Sequence, residues 1–259
     1  MPIQLSRRGV ILGVGVAAAL PAAAAPARHG AAAKASAAPA EAHPADAHPA
    51  AAHPVGLDPE TAMQRLVDGN ARYVAGVATH YNLDSARRTA VAAGQQPFAV
   101  ILACADSRVA PEIIFDQGLG DLFVVRVAGN VVDDAVLASI EYAVIHLGST
   151  LVMALGHERC GAVKATVEAL AGRGDEADKD TRIGALAALI APAVRTVPAT
   201  ATDKVDAAVS LNAANAAAEI FIKSPPMRQR VMAGELKIVA ARYDLDDGRV
   251  TPTKGQMPA

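Results

Sequence analysis

Four apolar runs recur along the chain, at residues 98–102 (FAVIL), 122–127 (LFVVRV), 150–155 (TLVMAL) and 236–243 (LKIVAARY). Continuous apolar runs of this length, rather than strict alternation, read as strands covered on both faces. The segments between them carry helical periodicity and helix-end signals. Asp58-Pro59-Glu60 places a capping side chain before a proline at the first turn. Ala62, Leu66, Tyr73, Val74 and Val77 then follow at helical spacing, to Gly76 and beyond. A short helix is expected over 84–93, closed by Gly94, after which Pro97 opens the first strand, ending at Cys104. Residues 111–116 give another short helix, stopped by Gly118 and Gly120. Asp133 or Asp134 caps a helix that Gly148 ends, and Cys160 opens one reaching about Leu170. Residues 172–180 form a charged loop. Alanine-rich helices are expected over 182–196 and 203–223, and Pro225-Pro226 starts a last one, to Gly234. Asp247-Gly248 is a hairpin signal that folds 249–251 back along the final strand. This alternation predicts an α/β fold: a mainly parallel central sheet of four to five strands flanked by helices, with an antiparallel edge strand.

The beginning of the chain follows a different pattern. Ser6-Arg7-Arg8, an apolar stretch over 9–16 and Ala-x-Ala sites near 23–27 make residues 1–27 an expected export signal. Its adjacent arginines favour the twin-arginine route, hence a periplasmic or extracellular location. The stretch 9–25 is short for a span and mostly alanine, so no stable membrane span is expected after cleavage. Residues 28–56 hold Ala, Pro and His, with His43-Pro44, His48-Pro49 and His53-Pro54 repeating every five residues. Such a segment buries no core and reads as a disordered tether. His29, His43, His48 and His53 fit a plain linker better than a weak zinc-feeding tract. Residues 57–259 are left as one domain. A formal charge of −2, 3% aromatic residues and no Trp give no basis for nucleic-acid binding.

The chain has two cysteines, and each follows a predicted buried strand. Cys104 opens Cys104-Ala105-Asp106-Ser107-Arg108. Cys160 closes Gly156-His157-Glu158-Arg159-Cys160, with His157 three residues before it. Ligand-binding residues of open α/β sheets collect at such strand ends. Two thiolates and one imidazole form a zinc set that leaves one tetrahedral position for water. A Cys104–Cys160 disulfide is the alternative in an exported chain, but it explains neither the histidine nor the strand-end placement. Asp106 two residues before Arg108 would elsewhere be a surface ion pair. Beside a ligand cysteine it is expected to orient what the metal holds.

The two motifs together resemble the β-class carbonic anhydrases. The resemblance runs from about residue 58 to 253 and takes in the stretch from Gly120 to Asn130, Glu141-Tyr142-Ala143, Gly156 to Gly161, Tyr243-Asp244-Leu245 and Gly248. It implies one Zn2+ per subunit on Cys104, His157 and Cys160, with hydroxide as fourth ligand, and reversible hydration of carbon dioxide to bicarbonate and a proton. Asp106 would accept a hydrogen bond from the hydroxide, and Arg108 would hold Asp106 ionised. In some members the matching aspartate swings onto zinc at low pH. Gln95 would reach the bicarbonate from a neighbouring subunit. Phe123 and Tyr142 would line the apolar side of the pocket. The N–H of Gly161, at a helix start, is placed to meet an anion. The implied assembly is a homodimer or homotetramer with the first helix lying on the partner. There are departures too. Ile101 and Leu102 occupy the region where some bacterial members carry a tryptophan of an inhibitory bicarbonate site, and Ala105 replaces a serine. His80 and His146 receive no role. The alternatives are a carbon disulfide or carbonyl sulfide hydrolase on the same site, and a non-catalytic zinc-binding or thiol-storage domain.

Overall fold

A computed structural model describes residues 56–178 and 181–253. The expected export signal and all of the tether but Gly56 lie outside the described residues. Helix α1 (Pro59–Val74) starts where expected, with the Asp58 carboxylate accepting from the amides of Glu60 and Thr61. It ends before Gly76 because that residue takes a left-handed turn, φ +68°. Helix α2 (Ser85–Val91), strand β1 (Ala99–Ala103), the short α3 (Pro111–Ile114) and β2 (Leu122–Arg126) follow. Asp133, not Asp134, caps α4 (Asp134–His146). Strand β3 (Leu151–His157) continues past the apolar run to include the histidine itself. Helices α5 (Gly161–Leu170), α6 (Ile183–Arg195), α7 (Lys204–Lys223) and α8 (Pro225–Met232) precede β4 (Lys237–Tyr243) and the edge strand β5 (Val250–Pro252).

The sheet order is β2-β1-β3-β4-β5. The first four strands are parallel and β5 runs antiparallel to β4. The extra length of β3 comes from its neighbour: β4 offers seven paired positions, and the last pairs His157 with Tyr243.

Alternate residues of the strands feed opposite faces. Ile101, Ala103, Met153 and Leu155 meet Ala62 and Leu66 of α1 together with Ile114 and Phe115. Val100, Leu102, Val152 and Ala154 meet Ile140 and Val144 of α4 and Ala217 and Ile220 of α7. Helix α1 therefore packs on its own sheet, with Ala62 and Leu66 fully buried. The close approach of α1 to α3 requires Gly69, whose added Cβ would stand 1.8 Å from the Phe115 carbonyl oxygen. Helix α7 is long and apolar enough, by length and composition, to cross a membrane. Here it contributes Val209, Ala213, Ala217 and Ile220 to the core.

Charge is buried in the loop between α3 and β2. Asp116 accepts from Arg72 Nε at 2.6 Å and from the amides of Thr79 and His80 at 3.0 Å. Asp121, fully buried, accepts from the Gly118 amide at 2.8 Å and faces Arg87 at 3.3 Å and Arg65 at 3.5 Å. His80 thus contributes its backbone. His146 sits in the last turn of α4 with its ring 5.4 Å from that of Tyr142.

Candidate metal centre

Strands β1 and β3 are adjacent and parallel, with Ala103 level with Leu155. Cys104, just past β1, and His157, the last residue of β3, therefore emerge side by side at the carboxyl edge of the sheet. Cys160 reaches the same point as the N-cap of α5. The ligand atoms of the three residues lie within 4.8 Å of one another, and all three residues are buried.

Their chemistry fits a soft divalent cation. The two sulfurs are 4.0 Å apart and both cysteines are free. A disulfide would need about 2.05 Å, whereas two sulfurs on one tetrahedral zinc, each at about 2.3 Å, stand about 3.8 Å apart. His157 Nδ1 lies 3.0 Å from the Glu158 carbonyl oxygen. A carbonyl only accepts, so Nδ1 carries the proton and Nε2 keeps its lone pair. Among the described residues Nε2 is fully buried and has no hydrogen-bond partner. An orphaned buried acceptor beside two thiols is the arrangement a metal would complete.

The surroundings favour thiolate. The Gly129 amide donates to Cys104 Sγ at 3.2 Å. Hydrogen bonds from Cys160 and the Gly129 amide pull the Cys104 thiol below its usual range, against the effect of burial. The bond to Cys104 and burial raise the Cys160 thiol instead, opposed by the amides of Val163 and Ala162 at the start of α5. Without a cation the pair thus shares one proton, because two adjacent buried thiolates repel. A divalent ion would release it.

Asp106 stands at the mouth of the cluster, its Oδ2 3.9 Å from His157 Nε2. Arg108 holds it bidentately, Nε to Oδ1 at 2.9 Å and Nη2 to Oδ2 at 2.7 Å. This guanidinium keeps the Asp106 carboxyl well below the usual carboxylate range. Gly161 opens α5 next to Cys160 and is exposed.

The structure brings Cys104, Asp106, Arg108, His157, Cys160 and Gly161 together. It does not bring Gln95, Phe123 or Tyr142 to the same cluster within one chain. Gln95 is exposed ahead of β1, at the opposite end of the strand. Phe123 pairs with Val100, four positions before Cys104, or about 13 Å along the strand. It packs near Tyr142 on the α4 face, ring centroids 6.3 Å apart.

Three residues of the site went unassigned in the sequence. Arg126 ties the loop after β1 by donating to the carbonyls of Cys104 at 3.1 Å and Asp106 at 2.7 Å. Gly129, at φ +69°, brings its amide to the sulfur, and a Cβ there would stand 2.7 Å from Ile190 Cδ1. Asn212 of α7 donates to the Gly129 carbonyl at 2.7 Å. An amide on the buried side of an alanine-rich helix was the available signal for Asn212.

Comparison with known proteins agrees with this geometry. The carbonic anhydrase family model matches residues 99–250. A relative from Mycobacterium tuberculosis named carbonic anhydrase 2 is 44% identical over 192 residues, covering 74% of this chain and 91% of its own. Among solved structures, the Coccomyxa β-carbonic anhydrase in complex with acetazolamide is 26% identical, with a TM-score of 0.55 over 74% of this chain and 88% of its own. A tetrameric β-carbonic anhydrase from Sordaria macrospora shares the fold, with a TM-score of 0.56 at 22% identity over 75% of this chain and 98% of its own. With the family match extending over most of the sheet and both cysteine motifs, the chain belongs to the β-class carbonic anhydrases.

Proposed function

We propose that this chain hydrates carbon dioxide reversibly to bicarbonate and a proton at a zinc ion held by Cys104, His157 and Cys160. The observation that carries the reading is the buried, unpartnered His157 Nε2 between two free thiols, 3.9 Å from a carboxylate that Arg108 keeps ionised. Bound there, zinc would supply water whose pKa is lowered toward neutrality. Two thiolate charges weaken that acidity, so Asp106 has to accept and aim the proton of the attacking group, and Arg108 fixes Asp106 for the task. The Gly161 amide, at the head of α5, is placed to meet the bicarbonate anion. Carbon dioxide is small and uncharged, so little else is needed to bind it.

Gln95, Phe123 and Tyr142 belong to this reading as residues lent to the pocket by a second copy in a homodimer or homotetramer, an assembly supported by the tetrameric Sordaria protein of the same fold. The amino-terminal pattern supports a twin-arginine export signal over 1–27 and a tether over 28–56, with the catalytic domain at 57–259 working in the periplasm or outside the cell. The relatives' names favour this reaction over hydrolysis of carbon disulfide or carbonyl sulfide and over a non-catalytic zinc domain.

The test is stopped-flow hydration of carbon dioxide by the purified chain, with zinc counted per subunit, before and after a chelator. About one zinc per chain and activity lost with the metal and restored by it are expected. Full activity in metal-free protein would remove the reading.

A further inference from the structure

The loop between β3 and α5 contains a residue that the chemistry above does not use. Arg159 has φ +52°, a left-handed backbone that costs an L-residue free energy. Something must hold it there, and its guanidinium is held. Nη1 and Nη2 donate to the two carboxylate oxygens of Asp246 at 2.9 and 2.6 Å, and Nη2 lies 3.5 Å from Glu158 Oε2.

Asp246 is itself fixed in the hairpin between β4 and β5. Its amide donates to Asp244 Oδ1, which also accepts from the Asp247 amide. Asp244 Oδ2 in turn takes Arg242 Nη1 at 3.0 Å. Glu158 ties the same two segments together: its amide donates to the Tyr243 carbonyl at 2.9 Å, and its Oε2 accepts from the Leu245 amide at 3.1 Å.

The peptide joining Glu158 to Arg159 presents the carbonyl that accepts from His157 Nδ1. The φ of Arg159 is one of the two dihedrals that set the tilt of that peptide. If Arg159 relaxed to negative φ, the carbonyl would swing from the imidazole. His157 would then be free to carry its proton on Nε2, the atom that faces the two sulfurs.

We propose that Arg159, clamped by Asp246, is a positioning residue that fixes the tautomer and aim of His157, so that the hairpin 244–249 forms part of the frame of the metal site. As an exposed ion pair alone, Arg159–Asp246 would count for little. Its effect comes through the one peptide that both the clamp and the imidazole share. The inference rests on the zinc reading above.

The experiment compares wild type, R159A, R159G, D246A and R159A/D246A as full chains loaded with zinc. It follows zinc release into excess chelator, and the imidazole 15N shifts of His157 in zinc-free protein. R159A and D246A are expected to release zinc about 10-fold faster, the lower end for residues behind a metal ligand, and to mix the two His157 tautomers. The double variant should be no worse than either single one, because the two side chains act as a unit. R159G, which takes positive φ without strain, should fall between wild type and R159A, and it guards against misfolding as the cause. Wild-type release rates and unchanged 15N shifts in all variants would overturn the proposal, as would additive effects in the double variant. A wild-type chain that takes up no zinc would sink the zinc reading, while the tautomer comparison still decides this one.

Discussion

Two regions of the molecule bury charged or ionisable groups and treat them in opposite ways. In the loop between α3 and β2, each buried carboxylate is surrounded by donors: Asp116 by Arg72 and two backbone amides, Asp121 by Arg87, Arg65 and the Gly118 amide. At the carboxyl edge of β1 and β3, two free cysteines and a buried imidazole nitrogen face one another, and among the described residues that nitrogen has no hydrogen-bond partner. A buried polar group without partners costs free energy. The first cluster has spent its polarity on holding helices to the sheet. The second is a donor set that a soft cation would complete, which makes it the candidate metal site. Completeness of partners, more than burial or charge, separates the structural polar cluster from the candidate metal site here.

The comparison breaks if the metal cluster turns out to be dispensable for chemistry. Replacing Cys160 by Ser is expected to have the largest effect. Bound zinc should be lost and hydration should fall to the background of chelated protein, as read by metal analysis and stopped-flow assay. A loaded, active C160S chain would place the chemistry elsewhere.

Next in size is Asp106→Ala. It should lower kcat by about 10²- to 10⁴-fold, the range for a positioned proton-handling group, with zinc content near that of wild type. Loss of zinc alongside activity would instead make Asp106 part of the frame that holds the metal.

Asp121→Ala tests the other region. It leaves Arg87 and Arg65 facing an empty buried position, and removing one partner from such a group lowers unfolding free energy by about 3–5 kcal/mol. Urea titration checks this, and zinc per folded chain should not change. A stable D121A chain with altered zinc content would merge the two regions that the comparison keeps apart.

The smallest effect concerns pH. Donors from Arg72, Thr79 and His80 outweigh the burial of Asp116 and depress its carboxyl from the usual 3.8. A carboxylate depressed in the folded state contributes stability that is fully present above the unfolded value and is lost as pH falls through the folded one. The stability gap between wild type and D116N, measured by thermal unfolding, should therefore be constant at neutral pH and shrink only below about pH 4. A gap that closes between pH 5 and 7 would mean that the Asp116 cluster is not saturated with donors.

Much of this was legible before any coordinates. The continuous apolar runs located all four parallel strands to within one or two residues, because a strand buried on both faces must be apolar throughout. Asp58 marked a helix start through its short acceptor side chain, and the pair Asp133-Asp134 marked another without saying which of the two caps it. The cysteine motifs marked the candidate metal cluster because two thiols and an imidazole at two strand ends have few other uses. Asp116 and Asp121 were not legible as partners of Arg72, Arg65 and Arg87. Those contacts join residues 34 to 56 positions apart, and periodicity carries no information about such pairs. The inner seat of α1 was not legible either. An amphipathic helix has to cover its apolar face, but the sequence does not say whether the cover is its own sheet or another copy.

The sequence alone determined the order of strands and helices, the ligand types and the acid–base pair beside them, because all of these depend on residues close along the chain. Only the tertiary structure decided that β1 and β3 lie side by side, so that Cys104 and Cys160 stop 4.0 Å apart without bonding and His157 is left with a bare nitrogen between them. Strand order is set by packing among all the elements at once, and no local pattern contains it.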